Sequence, residues 1–507
     1  MFIRKKGNKS GSTSVQLVSN HKGKYKVEQT IGSSSSQEQL ELLYQKGKHE
    51  LLGQQKQITL FVSTEDAQLE SYLGTLKNAQ VQVIGPELIF GKIYDAIGFG
   101  SIQEELFRHL VIARLAYPGS KLKTVDYLYR YQGITIGIDT VYRFLDKLHS
   151  KLKDAIEQIA YQHTRKILEN KIGIVFYDMT TLYFETSDED DLRKTGFSKD
   201  GKHQHPQIFL GLLVALGGYA IGYDIFEGNI FEGKTLLPVL RKFESRFGLI
   251  KPIVVADAGL LSKDNIEALE KDHYQYIIGA RIKNESNPVK AQILSLVLAD
   301  GKHAALKKDK HTRLIVSYSD KRAAKDEHNR KKGLARLEKQ IQSNKLTKSH
   351  INNRGYNKYL KLSGSIQVTI DYEKFNQDKK WDGLKGYLTN SELSPEQIIE
   401  NYKNLWQIEK AFRISKTDLR IRPIYHRLGK RIEAHICIAF TAYTIYKELE
   451  RVLANEKSTM SPIRASSLTH NMYQIAITLP QSKHQKKILL KTDSEQESLI
   501  QIISKNF

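Results

Sequence analysis

Between Lys171 and Ala280 the chain is a succession of short apolar runs: GIVFYDMT, TLYFE, QIFLGLLVAL, AIGYDIFEG, PIVVADAG and YQYIIGA. Runs of this length, rich in β-branched and aromatic residues and bounded by glycine and polar residues, read as strands. Two helical patterns, TLLPVLRKFESRFG and SKDNIEALEKD, fall between the later ones. Strands interleaved with helices in this way call for a sheet with covered faces, so the expected fold class is α/β, a mixed sheet flanked by helices. The longest apolar run, from Ile208 to Tyr223, is interrupted by Gly217 and Gly218. It is shorter than the roughly 20 residues that span a bilayer, and it reads as two buried strands around a glycine turn.

The flanks follow other patterns. Residues 1–100 include SVQLVSNHKGKYKVEQT, two strand-like runs around a polar HKGK turn, and no function is legible there. From Ser101 to about Asn170 the apolar spacing becomes helical, in EELFRHLVIARLAY, TVDYLYRY and TVYRFLDKLHSKLKDAIEQIA, with Pro118, Gly119 and Gly133 as breaks. Three helices with short turns are consistent with a helix-turn-helix that binds DNA, and also with an ordinary helical bundle. Between about Ile282 and Trp381 the chain turns polar, with a basic helix candidate, KRAAKDEHNRKKGLARLEKQIQ, between strand candidates RLIVSYS and SIQVTIDYE. This stretch reads as a β-containing insertion. The sheet pattern resumes at GLKGYLTN, and SPEQ at Ser394 is a helix start, with serine at the cap, proline in the first turn and glutamine three residues on. The expected division is therefore 1–100, a helical DNA-binding region 101–170, a core 171–425 with its insertion at about 282–381, and a helical carboxyl-terminal region 426–507.

Composition ranks partners without naming an activity. The 78 Lys and Arg against 56 Asp and Glu leave a net charge of +22, a field that attracts polyanions and makes nucleic acid the first partner to consider. A single cysteine, Cys437, excludes an internal disulfide and a cysteine zinc cage, and is expected in the core. The basic amino end lacks the apolar stretch of a secretory signal, so a cytoplasmic, nucleoid-associated place and no membrane are expected. No phosphate-cradling G-x-x-x-x-G-K-[ST] run occurs, so a nucleotide cofactor is not implied.

The carboxylates carry the chemistry. Asp178, in YDMTT, and Asp257, in VVADAG, each follow an apolar run, which predicts that both sit at the carboxyl edges of buried strands. Two such groups in one sheet can converge on a hard cation such as Mg2+. A third carboxylate would complete a two-metal arrangement, with ions about 3.5 to 4 Å apart. Glu409 is distinguished by its neighbours: at helical spacing Tyr402 and Leu405 precede it, and Arg413 and Lys416 follow it, along one stripe. The two cations would suit DNA phosphates beside the metals.

Taken together these residues resemble the DDE transposases of bacterial insertion sequences, in the large family founded on insertion sequence number four. That family's signature Y-x2-R-x3-E-x6-K is matched at Tyr402, Glu409 and Lys416, with Leu405 at the arginine position. ARLAYPGSKLKT, TGFSKDGKHQHPQIFLGLL, VVADAGLLS and DGLKGYLTN also match, and the resemblance covers most of residues 100 to 440. It implies an RNase H-like core, with a β-rich insertion lengthening the interval between the second aspartate and the glutamate. It implies two Mg2+ or Mn2+ ions held by Asp178, Asp257 and Glu409, and double-stranded DNA, both element ends and target, as substrate. It also implies a homodimer in the DNA complex. Tyr402, Arg413, Lys416 and Trp381 are the candidate DNA contacts, Arg413 standing in for the missing arginine and Trp381 stacking on a flipped base. The rival readings are a catalytically inactive DNA-binding repressor and an RNase H-like nuclease that cuts without joining.

Weaker signals receive plainer readings. His203 and His205 are expected in a surface turn or polar edge, with Ser198, Lys199 and Asp200 as part of a turn. The acidic run Asp188 to Asp191 is expected to be a solvated loop, and Trp406 is expected to pack its helix.

Overall fold

The chain divides into two units, Met1–Gln80 and Val81–Phe507. The computed structural model describes all residues except 55–63, 75, 78–79, 199–200, 249, 261, 344, 353, 364–366 and 479–483, and all side chains except also those of 52–54, 64–68 and 367. The expected turn residues Lys199 and Asp200 therefore lie outside the described residues. The first unit is an antiparallel sheet of Phe2–Gly7, Thr13–His21 and Lys24–Ser34. The HKGK run makes its second turn, with Lys22 and Gly23 left-handed. The helix Gln37–Gln54 follows.

After the short strand Val81–Val83 and the helical turns Glu87–Gly91 and Lys92–Ile97, the second unit continues with helices α1 (Glu105–Ala116), α2 (Lys121–Gln132), α3 (Ile138–Lys147) and α4 (Lys153–Ile167). Ser120 caps α2 by accepting from the Lys123 backbone N–H at 3.3 Å, and Gly133 ends it in the left-handed conformation. Helices α3 and α4 are joined by a wide turn at Leu148–Leu152 rather than a break.

An eight-stranded sheet follows: β1 (Ile174–Tyr183), β2 (Gln207–Ala215), β3 (Ala220–Glu227), β4 (Ile253–Ala256), β5 (Tyr276–Ala280), β6 (His303–Lys307), β7 (Arg313–Tyr318) and β8 (Leu384–Thr389). GIVFYDMT and TLYFE are thus one strand, not two. The spatial order is β6-β7-β8-β5-β4-β1-β2-β3. β1, β2 and β3 form an antiparallel meander, with Gly217 and Gly218 left-handed at the β2–β3 turn, while β4 and β5 run parallel to β1. An antiparallel triplet with two parallel strands added beside β1 is the RNase H-like arrangement. The polar stretch is not wholly separate from this sheet. β6 and β7 extend the sheet beyond β8, whereas helix Asp320–Gln342 and the hairpin Leu360–Ser363/Gln367–Ile370 share a small core around Leu337, Tyr359 and Phe375.

Both sheet faces are covered, which is why the strands read as unbroken apolar runs. On one face, Tyr177, Leu213 and Ala256 pack with residues of the helices Leu236–Phe247 and Lys263–Lys271. On the other, Phe176, Val255 and Ile277 share a core with Tyr402, Ile408 and Phe412 and with the 27-residue helix Gly429–Asn455, where Cys437 is buried. No helix among the described residues is long and apolar enough to cross a membrane.

That long helix is fastened to α4 by a buried carboxylate. Glu448 is 2 % exposed, accepts two hydrogen bonds from the Arg451 guanidinium at 2.7 and 2.8 Å, and lies 3.3 Å from His163 Nε2. Burial alone would raise its pKa, but the Arg451 and His163 contacts prevail and hold it at about 2. The folded value lies below the unfolded one of about 4.3. The stabilisation is therefore complete above that unfolded value and fades as pH falls toward 2. Glu448→Gln is expected to cost about 2 kcal/mol at neutral pH. Chemical unfolding of both forms across pH should show the gap closing in acid; a gap independent of pH would refute the ion-pair account.

Candidate active site

The parallel pairing of β1 with β4 ends with Tyr177 opposite Ala256. Asp178 and Asp257 are the next residue on each strand, and neighbouring strands lie about 4.8 Å apart. Phe176 and Val255 lie in one core, Tyr177 and Ala256 in the opposite one. Side chains alternate along a strand, so the aspartates project to the Phe176 side, the side that carries Tyr402 and Ile408. Asp257 directly follows the end of its strand, at its carboxyl edge, as the sequence predicts. Asp178 does not: β1 continues to Tyr183 because its pairing with β2 outlasts its pairing with β4. Asp178 is half-buried and its Oδ1 accepts from the Met179 backbone N–H at 2.7 Å, while Asp257 is exposed.

Tyr402 ties the next element to this pair. It lies on α-helix Pro395–Lys403, which opens with the predicted capping box: Ser394 Oγ accepts from Gln397 N–H at 3.3 Å and Gln397 Oε1 accepts from Ser394 N–H at 3.0 Å. The buried Tyr402 hydroxyl donates to Asp257 Oδ1 at 3.0 Å. Burial and the adjacent Asp257 charge push its pKa up, so it stays a donor. Gly279 on β5 makes room, since a Cβ there would come 2.3 Å from that hydroxyl.

The expected single helix through Glu409 is interrupted. Tight bonds from Leu405 N–H to Tyr402 O and from Gln407 N–H to Asn404 O mark a turn, and a second helix, Trp406–Arg413, begins after it. Asn404 is a poor helix former at this point. The break changes the predicted stripe. Tyr402 and Leu405 are buried, Leu405 to 8 % exposure, whereas Glu409 and Arg413 are exposed one turn apart. An arginine at position 405 would have to enter the core. Arg413 has no ion-pair partner among the described residues. Lys416 is half-buried within a wide turn, Ile414–Asp418, off regular helical spacing. Trp406 is 53 % exposed with Lys410 Nζ 5.8 Å from its ring, so it does not pack its helix as expected.

Lys385 on β8 is a further cation whose charge is felt at both Asp257 and Glu409, and the sequence did not single it out. Its ammonium lies 4.4 Å from the Tyr402 ring centroid and 5.5 Å from that of Tyr387. Burial lowers its pKa and Arg322 adds to the effect, while Asp257 and Glu409 both oppose it. Lys385 thus feels both acids at once. The available signal was a lysine alternating with Tyr387 within the strand run GLKGYL. Arg322, at the start of the helix Asp320–Gln342, also went unnoticed; it lines a cleft of about 840 Å³ with Asp257, Lys385, Tyr402 and Trp381. Trp381 is half-buried there, and Asp178, Glu409, Arg413 and Lys416 lie outside the lining.

The fold therefore brings Asp178 and Asp257 together and turns them toward the layer carrying Glu409. Among the described residues no three acidic, histidine or cysteine side chains already form a metal cage. The donor set nonetheless fits a hard divalent cation, being made of carboxylate oxygens with one, Asp257, open to the cleft. His203 sits in a turn, its Nδ1 accepting from Ser198 N–H at 3.2 Å. The acidic run is a loop in which Asp190 is engaged by Arg193 at 2.8 Å.

A family model described as the transposase DDE domain matches residues 169–445. The match contains Asp178, Asp257 and Glu409 and spans just over half the chain. No curated protein matches. Among solved structures the chain is similar to a cryo-EM structure of a piggyBac transposase synaptic complex with hairpin DNA, at 10% identity over 76% of this chain and 78% of that one, with a TM-score of 0.39. On the family match, the chain belongs to the transposase DDE domain family.

Proposed function

We propose that this protein is an active transposase that binds the terminal inverted repeats of its own mobile element, cleaves them and joins them to target DNA. The observation that carries the reading is the register of β1 and β4, which sets Asp178 beside Asp257 on the sheet face that also carries the Glu409 layer. The sequence resemblance to the insertion-sequence-four family supports it, as does a net charge of +22.

Asp178, Asp257 and Glu409 would hold two divalent cations, Mg2+ or Mn2+, which when bound supply Lewis acidity for phosphoryl transfer. Water attacks the phosphodiester at the element end, releasing a 3′-hydroxyl, and that hydroxyl attacks a target phosphodiester with departure of the target strand's own 3′-oxygen. The protein contributes positioning and charge. Tyr402 orients Asp257 through its hydrogen bond, and Lys385 and Arg322 set positive charge beside the acids. Arg413, exposed one turn after Glu409, is suited to a phosphate as a planar fork of donors and Lys416 as a point charge. Trp381 offers a ring in the cleft for a displaced base. Helices α1 to α4 are assigned to recognition of the ends, within a homodimer on DNA.

Two expectations follow for purified protein with end DNA. Asp178→Asn, Asp257→Asn and Glu409→Gln should each retain DNA binding and lose nicking in Mg2+ by on the order of 10²- to 10³-fold. Normal nicking by Asp257→Asn would sink the assignment. The same assay with a target duplex separates the rivals, because a nuclease nicks without strand transfer and a repressor does neither. Tyr402→Phe keeps the ring but not the hydroxyl. It should cost about 1 kcal/mol in urea unfolding and slow nicking by roughly tenfold through misorientation of Asp257. An unchanged rate in limiting Mg2+ would remove Tyr402 from the positioning role.

A further inference from the structure

A second cationic feature lies away from the carboxylates. A cavity of about 640 Å³ is lined by the α1–α2 junction, the Arg420–His426 segment and His435. Arg114 and Lys121 face it at 3 % and 5 % exposure, with His426 and His435 also buried and Lys123 and Arg422 among the other lining residues. Among the described residues no Asp or Glu lines it. Among the described residues Arg114 donates only to the Leu419 and Arg420 carbonyls, at 3.4 and 3.3 Å. Lys121 has no hydrogen-bond or ion-pair partner among the described residues, and His435 Nδ1 is buried with no hydrogen-bond partner.

Buried charges are ordinarily paired, because each one removed from water without a counter-charge is costly. Here two cations are buried beside each other. Burial lowers the pKa of Lys121 and the nearby Arg114 lowers it further, while Arg114 itself is pushed down to about 10 by burial. Such a site is incomplete without an anion. Its planar guanidinium fork beside an ammonium suits the tetrahedral oxygens of a phosphate.

We propose that this cavity is a phosphate-binding site and that its occupant is a backbone phosphate of the DNA strand being processed. The DNA assignment rests on the transposase reading; the phosphate site does not. Arg422, on the cavity wall, lies 5.6 Å from the Tyr183 ring. Tyr183 ends the strand that carries Asp178. At about 3.3 Å per residue the two are ~17 Å apart, roughly five nucleotide steps of about 3.4 Å along one strand. The cavity would grip the substrate at that remove from the bond cleaved.

The test has two arms on the full chain. In the first, inorganic phosphate should raise the melting temperature more than chloride at equal ionic strength, and Lys121→Met should abolish the excess. In the second, duplexes carrying the terminal repeat bear single methylphosphonates, position by position. One position, roughly five to seven nucleotides from the cleavage point, should weaken binding by the native chain and leave Lys121→Met indifferent. The salt slope of binding should fall by about 0.9 in that variant. Arg422→Ala, at a half-buried position, should reproduce both losses and serves if Lys121→Met does not fold. Protection by phosphate with no such position overturns the DNA assignment in favour of free phosphate. Absence of phosphate-specific protection overturns the site. Because the first arm contains no DNA, it reads the cavity even if the chain proves unable to cleave.

Discussion

The parallel pairing of β1 with β4 is the constraint on which the candidate site depends. A parallel pair cannot be closed by a tight turn and needs a crossover. Here the chain first builds the β2–β3 hairpin and then returns through the helix Leu236–Phe247. That route gives β1 two neighbours of opposite polarity, β2 and β4. With β2 paired well beyond Asp178 and β4 ending just before Asp257, one aspartate is fixed within a strand and the other opens into the cleft. A slip of one residue would turn either aspartate to the opposite core. The apolar residues on both faces, Phe176 and Val255 on one and Tyr177 and Ala256 on the other, make that slip costly.

Glu409 needs separate support, because its helix is short and follows a turn. The long helix Gly429–Asn455 supplies it. Glu450 pairs with Lys410, next to Glu409, and with Lys447 on its own helix. Tyr446 donates to Asp418 at 3.1 Å, and Tyr443 donates to the Gly218 carbonyl at 2.5 Å. The last bond reaches the β2–β3 turn, so one rigid helix holds both the Glu409 helix and the sheet. Side chains carried by regular elements keep their geometry better than side chains on loops. Through Glu448 the same helix also couples the site layer to α4.

What was legible in the sequence was what short-range pattern can encode. The buried strands showed as apolar runs because both faces are covered. The Gly217–Gly218 turn and the Ser394 cap are marked by the residues that those conformations require. Asp178 and Asp257 stood out by following such runs. The break at Asn404–Leu405 was hidden because Tyr402, Leu405, Ile408 and Phe412 keep an apolar spacing of three to four residues across it, and periodicity does not register one tightened turn. Lys385 and Arg322 were hidden for a different reason. Their relation to the acids is set by β8 pairing with β5 and by the Asp320–Gln342 helix lying over the cleft, contacts separated by scores of residues. RLIVSYS read as a strand, but its place in the main sheet was likewise invisible, because β7 pairs with β8 some seventy residues away, and β6 at the sheet edge buries only Leu306.

The distribution of positive charge argues for a substrate longer than a single phosphodiester. Near the carboxylates the cations are mixed with acids: the cleft wall carries Asp326, Asp378 and Asp382 as well as Arg322 and Lys385. Arg330 pairs with Asp382 and Lys358 with Asp378, so much of that charge is already answered within the protein. Such a surface attracts a phosphate weakly unless the carboxylates are themselves neutralised, as bound metal would do on the proposed reading. The cavity around Arg114 and Lys121 is the reverse, with buried cations and, among the described residues, no acid on its wall. On the proposed reading, grip and chemistry would be separated along β1: a strand held at the cavity would be presented to the carboxylates without the carboxylates having to hold it, leaving their binding energy for the transition state.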